Sequence, residues 1–232
     1  MISTLKFLSS SSVDAVVLNS PVRAHLFQQP VHLSTTSTLK RLIDILGALV
    51  GLVITAILTI PIAIAIQLDN PGPIFFSQMR CGLKGKPFRI WKFRSMVVGA
   101  DYLQHTINNQ AKGHIFKNHN DPRITCVGRF LRRTSLDELP QFWNVLRGEM
   151  SLVGTRPPTL GEVKKYTSHH WQRLDIKPGI TGEWQTNGRS CITDFEEIVR
   201  LDLAYQQKWS VSYDLHLILK TFLIVVNKHG AC

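Results

Sequence analysis

The sequence predicts a small membrane-associated α/β fold, in which an N-terminal apolar helix leads into a domain built from a short β-hairpin and several helices. Three observations carry this. The stretch from Ile45 to Ile66 has no charged residue over roughly the 20 positions that a bilayer core requires. After the turn-forming Asp69-Asn70-Pro71-Gly72-Pro73, the segments 74–79 and 88–93 flank a loop bounded by Gly82 and Pro87, which is the pattern of a hairpin. Helical periodicity then recurs at roughly 97–110, 138–148, 159–172 and 194–208.

Taken in order, residues 1–38 are rich in Ser, Thr and Val without a sustained period and read as a mobile extension. Residues 39–69 read as a membrane-inserted helix and 70–232 as a cytoplasmic domain. A secretory signal is disfavoured, because the apolar run is long and begins only at Ile45. A soluble core helix is disfavoured too, since only Thr55 and Thr59 interrupt the run where an amphipathic helix would carry a polar face. Pro61 lacks a backbone donor and predicts a kink or break. Lys40 and Arg41 precede the segment, and a collar of Arg80, Lys84, Lys86, Arg89, Lys92 and Arg94 follows it, placed to meet anionic headgroups. By the positive-inside rule both ends are cytoplasmic, which a re-entrant helix broken at Pro61 satisfies and a single crossing does not. The plain spanning anchor stays open as the alternative. Residues 215–226 are too short to span and read as an interfacial or a core helix.

The net charge of +11 suits nucleic acid, anionic lipid or a phosphorylated ligand. Its concentration beside the apolar run and the lack of a nucleic-acid motif exclude the first. Cys81, Cys126, Cys191 and Cys232 are scattered, which fits reduced thiols and not a zinc site or disulfide framework. His114 and His119 read as surface residues.

The chemistry concentrates in the run from Arg132 to Gln141, where Asp137 and Glu138 stand behind an arginine pair and ahead of Pro140. In a helix's first turn these acids are favoured as carboxylates, and a phosphate brought there meets free N–H groups. Asp137 then reads as a nucleophile and Glu138 as a metal ligand. The alternative is a capping box from Ser135 to Glu138, which Pro140 weakens by falling where a helix begun at Ser135 would clash. Two further loops, Gly154 to Pro158 with Arg156 and Lys177 to Gly182, precede Gln185, Asn187, Gly188 and Arg189. Loops of this kind present backbone donors and guanidinium groups to phosphate.

Seven segments in this order resemble the bacterial sugar transferases, the monotopic polyprenyl-phosphate phosphoglycosyl transferases. They are 40–44 (Lys-Arg-Leu-Ile-Asp), 70–76, 92–96, 133–141, 150–154, 177–182 and 187–189, so the resemblance runs from about Lys40 to Val226. It implies a short-form enzyme on the cytoplasmic face of the inner membrane, held by a re-entrant helix that breaks near Pro61. The implied reaction transfers a sugar 1-phosphate from a nucleotide diphosphate sugar to a polyprenyl phosphate, with Mg²⁺ required, to initiate exopolysaccharide or glycoconjugate synthesis. By position Asp137 matches the nucleophile and Glu138 its acidic, metal-binding partner, while Arg94, Arg133, Arg156 and Arg189 match arginines around the active site. Thr155 stands where the family usually has Pro, and Gly182-Glu183-Trp184-Gln185 where many members have Gly-Trp-Ala-Gln. The implied partners are the nucleotide sugar, the polyprenyl phosphate and membrane lipids, with homo-oligomerisation left open. The sugar is not specified. A non-catalytic membrane scaffold would not need the acid pair beside cationic loops, and a nucleotide-diphosphate-releasing glycosyltransferase would need a nucleotide-binding motif that is missing.

Overall fold

The computed structural model describes residues 31–188 and 192–227. A short helix α1 (Leu33–Thr36) leads into α2 (Thr38–Asp69), which by its 32 residues is about 48 Å long. The hairpin strands β1 (Phe75–Cys81) and β2 (Pro87–Phe93) pair antiparallel from Phe75↔Phe93 to Cys81↔Pro87. Next come α3 (Cys126–Arg133), α4 (Phe142–Leu146), β3 (Ser151–Val153), α5 (Leu160–Val163) and α6 (Ser168–Trp171). The chain continues through β4 (Gly179–Thr181), α7 (Glu183–Thr186), α8 (Phe195–Lys208) and α9 (Val211–Asn227). β3 and β4 pair in parallel through Ser151↔Gly179 and Val153↔Thr181, which brings the Arg156 loop beside the loop that starts at Lys177.

One stripe of α2 is buried by the domain along its whole length: Lys40, Asp44, Ala48, Gly51, Thr55, Ile62 and Ile66 recur every three, four or seven residues. Gly51 has a structural reason, because a Cβ there would lie 2.4 Å from the Phe142 ring of α4. Ile62 and Ile66 pack on Phe93 and Leu131. The opposite stripe is open, with Ile57 67% and Ile60 68% exposed. Both ends are fastened to the same domain. At the start, Lys40 pairs with Asp214, and Asp44 Oδ1 accepts from Ser151 Oγ and the Leu152 N–H, both at 2.9 Å. At the end, Asp69 Oδ2 accepts from the Val127 N–H at 2.8 Å.

Several expectations change. The helix runs unbroken through Pro61, so the anticipated break does not interrupt it; Thr55 and Thr59 hydroxyls bond back to Gly51 and Thr55 carbonyls at 2.6 Å within the same stretch. Residues 31–38 are built into the fold, in contrast to the mobile reading. His32 caps α1, donates from Nε2 to the Gln206 carbonyl at 3.0 Å and lies edge-on to Trp209. Residues 1–30 lie outside the described residues. Of the four expected helices, only 194–208 forms as one α-helix. The 97–110 segment is a 3₁₀ turn over Ala100–Thr106 after Gly99 at φ 77°, and 159–172 divides where Thr167 caps α6. His114, read as a surface residue, packs among the rings of Tyr166, His170 and Phe195. Cys81 and Cys126 are free thiols; Cys191 and Cys232 lie outside the described residues.

Candidate active site

The segment that carries the acid pair, Leu136–Gln141, is a 3₁₀ turn. Pro140 has no N–H to extend an α-helical ladder, so the chain tightens, with the Glu138 N–H bonded to the Ser135 carbonyl at 3.1 Å. Ser135 sits at φ 59°, ψ 14°, a left-handed conformation that costs a non-glycine residue about 1–3 kcal/mol. Its side chain makes no capping hydrogen bond, so the capping box does not form. The strained reversal between α3 and this turn points Asp137, Glu138 and Gln141 into one cavity of about 430 Å³. Asp137 is only 4% exposed, and Glu138 Oε1 accepts from Lys92 Nζ at 2.8 Å.

The hairpin builds the facing wall. Alternation along β2 puts Ile90 and Lys92 on one face, and the register places Arg80 of β1 on that face as well. Arg132, Arg156 and Lys117 bring the cationic lining, among the described residues, to five side chains, namely Arg80, Lys92, Lys117, Arg132 and Arg156, against the two carboxylates. Burial and then the neighbouring Arg156 charge push Arg80 down to about 10. Burial also lowers Lys117. Arg156 is held by Glu162 through Nη1–Oε2 at 2.8 Å and Nη2–Oε1 at 3.3 Å. Burial alone would raise Glu162, but the surrounding arginines, Arg156 first and then Arg80 and Arg173, together keep this carboxyl below its ordinary range. Behind it Arg173, with no exposed surface, pairs with Asp202 at 2.6 Å and donates to Tyr166 Oη at 2.6 Å.

Asp137, Glu138 and Arg156 therefore converge. Arg94 does not join them: its guanidinium donates to the Asn70 side chain at 3.1 Å and to the Asn70 carbonyl, fastening the turn after α2. Arg133 is exposed and lies off the cavity, whereas its neighbour Arg132 donates from Nε to Ser95 Oγ at 2.9 Å and lines it. Arg189 lies outside the described residues, and Pro61 is an exposed residue of α2. The basic collar is not one surface. Arg80 and Lys92 face the cavity, Lys84 pairs with Asp175 at 2.6 Å, and Arg94 is tied to Asn70. Strand alternation was the signal that could have separated Arg80 and Lys92 from the outward Arg89. Lys117, Asn118 and His119 reach the cavity from an irregular loop that has no periodicity to announce it.

Among the described residues no three His, Cys, Asp or Glu side chains converge into a metal-binding group. A closed zinc-type site is thus not formed by them. One or two carboxylates plus oxygens from phosphate and water is the ordinary arrangement for Mg²⁺, and Asp137 with Glu138 fits that donor set.

The described residues thus form a cationic cavity around an acid pair, on a domain packed along an apolar helix. Residues 35–228 match the bacterial sugar transferase family. The chain belongs to that family. It is 52% identical over 194 residues to the galactosyl transferase CpsE of Streptococcus agalactiae serotype III, covering 83% of this chain and 43% of that one. It is 45% identical over 199 residues to the UDP-glucose:undecaprenyl-phosphate glucose-1-phosphate transferase of Escherichia coli K12, covering 82% and 41%. The uncharacterized sugar transferase EpsL of Bacillus subtilis is 38% identical over 192 residues, covering 83% of this chain and 89% of its own. The chain thus spans less than half the length of the first two relatives.

Proposed function

We propose that this chain is a phosphoglycosyl transferase that moves a sugar 1-phosphate from a nucleotide diphosphate sugar to a polyprenyl phosphate, undecaprenyl phosphate in the relatives' names. The observation that carries the reading is the placement of Asp137 and Glu138 in a cavity lined, among the described residues, by five cationic side chains. In this reading an Asp137 carboxylate oxygen attacks the sugar-bearing phosphorus, and the bond from that phosphorus to the bridging oxygen breaks. The nucleotide monophosphate departs with that bond's electron pair. An oxygen of the polyprenyl phosphate then attacks the acyl phosphate, forms the lipid-linked diphosphate sugar and returns the Asp137 carboxylate. The cationic lining neutralises charge gathering on the transferred and departing phosphates. Lys92 orients Glu138 beside the nucleophile. Bound Mg²⁺, held by Glu138 with Asp137, would supply further charge neutralisation on the diphosphate.

The continuous contact of α2 with the domain supports a helix that lies in the cytoplasmic leaflet of the inner membrane, with its open stripe in lipid. The nucleotide released in turnover tests the chemistry. Monophosphate, together with a protein adduct of sugar-phosphate mass when acceptor is withheld, is expected, and both should vanish in Asp137→Asn. Initial release of diphosphate would mean glycosyl transfer, and no release at all would leave only a scaffold.

A further inference from the structure

Arg80 stands out because it belongs by sequence to the collar beside the membrane segment, yet its side chain turns into the cavity. The end of β1 explains this. Its Cys81 N–H bonds to the Pro158 carbonyl at 2.9 Å, and Arg80 bridges to Thr159, so the strand end is sewn to the loop that carries Arg156. Arg80 Nη1 donates to the Pro157 carbonyl at 3.0 Å and Nη2 to Gln78 Oε1 at 2.7 Å. Its Nε is buried without a partner, and among the described residues no carboxylate takes a hydrogen bond from this guanidinium. The nearby Glu162 is already engaged by both terminal nitrogens of Arg156. Two guanidinium groups are thus held in one corner, where Glu162 is engaged by Arg156 and the charges of Glu162 and Glu138 reach Arg80 without a hydrogen bond to it. Two like charges set close together in a half-buried corner repel, and the buried Arg80 Nε is left without an acceptor, so an anion that enters relieves both.

We propose that Arg80 and Arg156 form a two-guanidinium clamp for the diphosphate of the nucleotide, with Glu162 as the positioning residue that fixes the Arg156 fork. The inference rests on the phosphoglycosyl transferase reading for the identity of the donor, but the clamp itself is a statement about anion binding. Guanidinium groups meet phosphate oxygens through paired donors, which a lysine ammonium cannot reproduce. The clamp therefore binds the diphosphate portion and is indifferent to the nucleoside alone.

The test is equilibrium binding to the full chain in detergent, with uridine diphosphate, uridine monophosphate and uridine as probes. Arg80→Gln is expected to weaken uridine diphosphate by about ten- to a hundredfold, the scale of a lost charge-assisted contact, to weaken the monophosphate less and to leave uridine unchanged. Arg80→Lys should fall between Arg80→Gln and wild type, and decides the matter if the melting curve shows Arg80→Gln unfolded. Glu162→Gln should weaken the diphosphate while uridine binding persists. Lys86→Gln, an exposed collar residue off the cavity, should bind all three probes as wild type does. Wild-type affinity for the diphosphate in a folded Arg80 variant, equal weakening of Lys86→Gln, or a loss that extends equally to uridine would overturn the clamp. Because no turnover is measured, a failure of the transferase reading appears separately, as release of the wrong nucleotide from an enzyme whose Arg80 still grips diphosphate.

Discussion

Adjacent residues in this chain have opposite fates, and the difference is one of direction. Arg132 and Arg133 end α3 together, but Arg132 turns over Ser95 into the cavity while Arg133 stays in solvent. Arg132→Gln should lower kcat/KM by about ten- to a hundredfold, and Arg133→Gln by less than about threefold; parallel kinetics on the two variants check this, and a larger loss at Arg133 would restore the role its motif position implies. Asp121 offers a pH-dependent case. Hydrogen bonds from Arg123, outweighing burial, hold its carboxyl below the ordinary range in a pair that is 6% and 5% exposed. Its stabilisation is therefore present above the unfolded value near ~3.9 and fades as pH falls through the lower folded value. The melting-temperature gap between wild type and Asp121→Asn should be wide at neutral pH and close as pH falls well below about 4.

At the scale of elements, the hairpin and α8 were legible because period and turn chemistry are local signals, whereas the acid pair was legible as residues and not as the 3₁₀ turn that carries it. The long helix was legible as apolar, but not as a helix packed along its whole length, since Gly51 reveals its purpose only against the Phe142 ring. The expected helices that became 3₁₀ turns or divided did so because periodicity does not see the left-handed Ser135 or the capping of α6 at Thr167. Asn144 escaped notice for a similar reason. It is fully buried, accepts from the Trp91 N–H at 3.2 Å and donates to the Arg89 carbonyl and Glu149 at 2.7 Å, so one side chain of α4 completes the edge of β2. Asn144→Ala leaves two strand groups unpaired, and a loss of about 2–4 kcal/mol is expected. Since β2 also presents Lys92, denaturation and activity should decline together; an Asn144→Ala protein of wild-type stability would show the strand edge to be held by something else.

At the scale of the molecule, the question is how a helix long enough to cross a bilayer can have both ends bound to one polar domain. Seven residues on its buried stripe, from Lys40 to Ile66, face the domain, and the polar contacts continue to Asp69. A spanning arrangement would have to pull the N-terminal end away and strand Asp214, 3% exposed, without Lys40, which for a buried ion pair costs about 3–5 kcal/mol. It would also separate Asp44 from Ser151 and Leu152. Lying along the domain with the other stripe in lipid keeps every one of these contacts. Leu33 before the helix and Val98 after it are both exposed, 71% and 61%, and serve as reporters. With a membrane-impermeant maleimide on intact cells, Leu33→Cys and Val98→Cys should both resist labelling, and both should react once the cells are opened. Labelling of Leu33→Cys alone from outside would show that α2 leaves the domain and crosses.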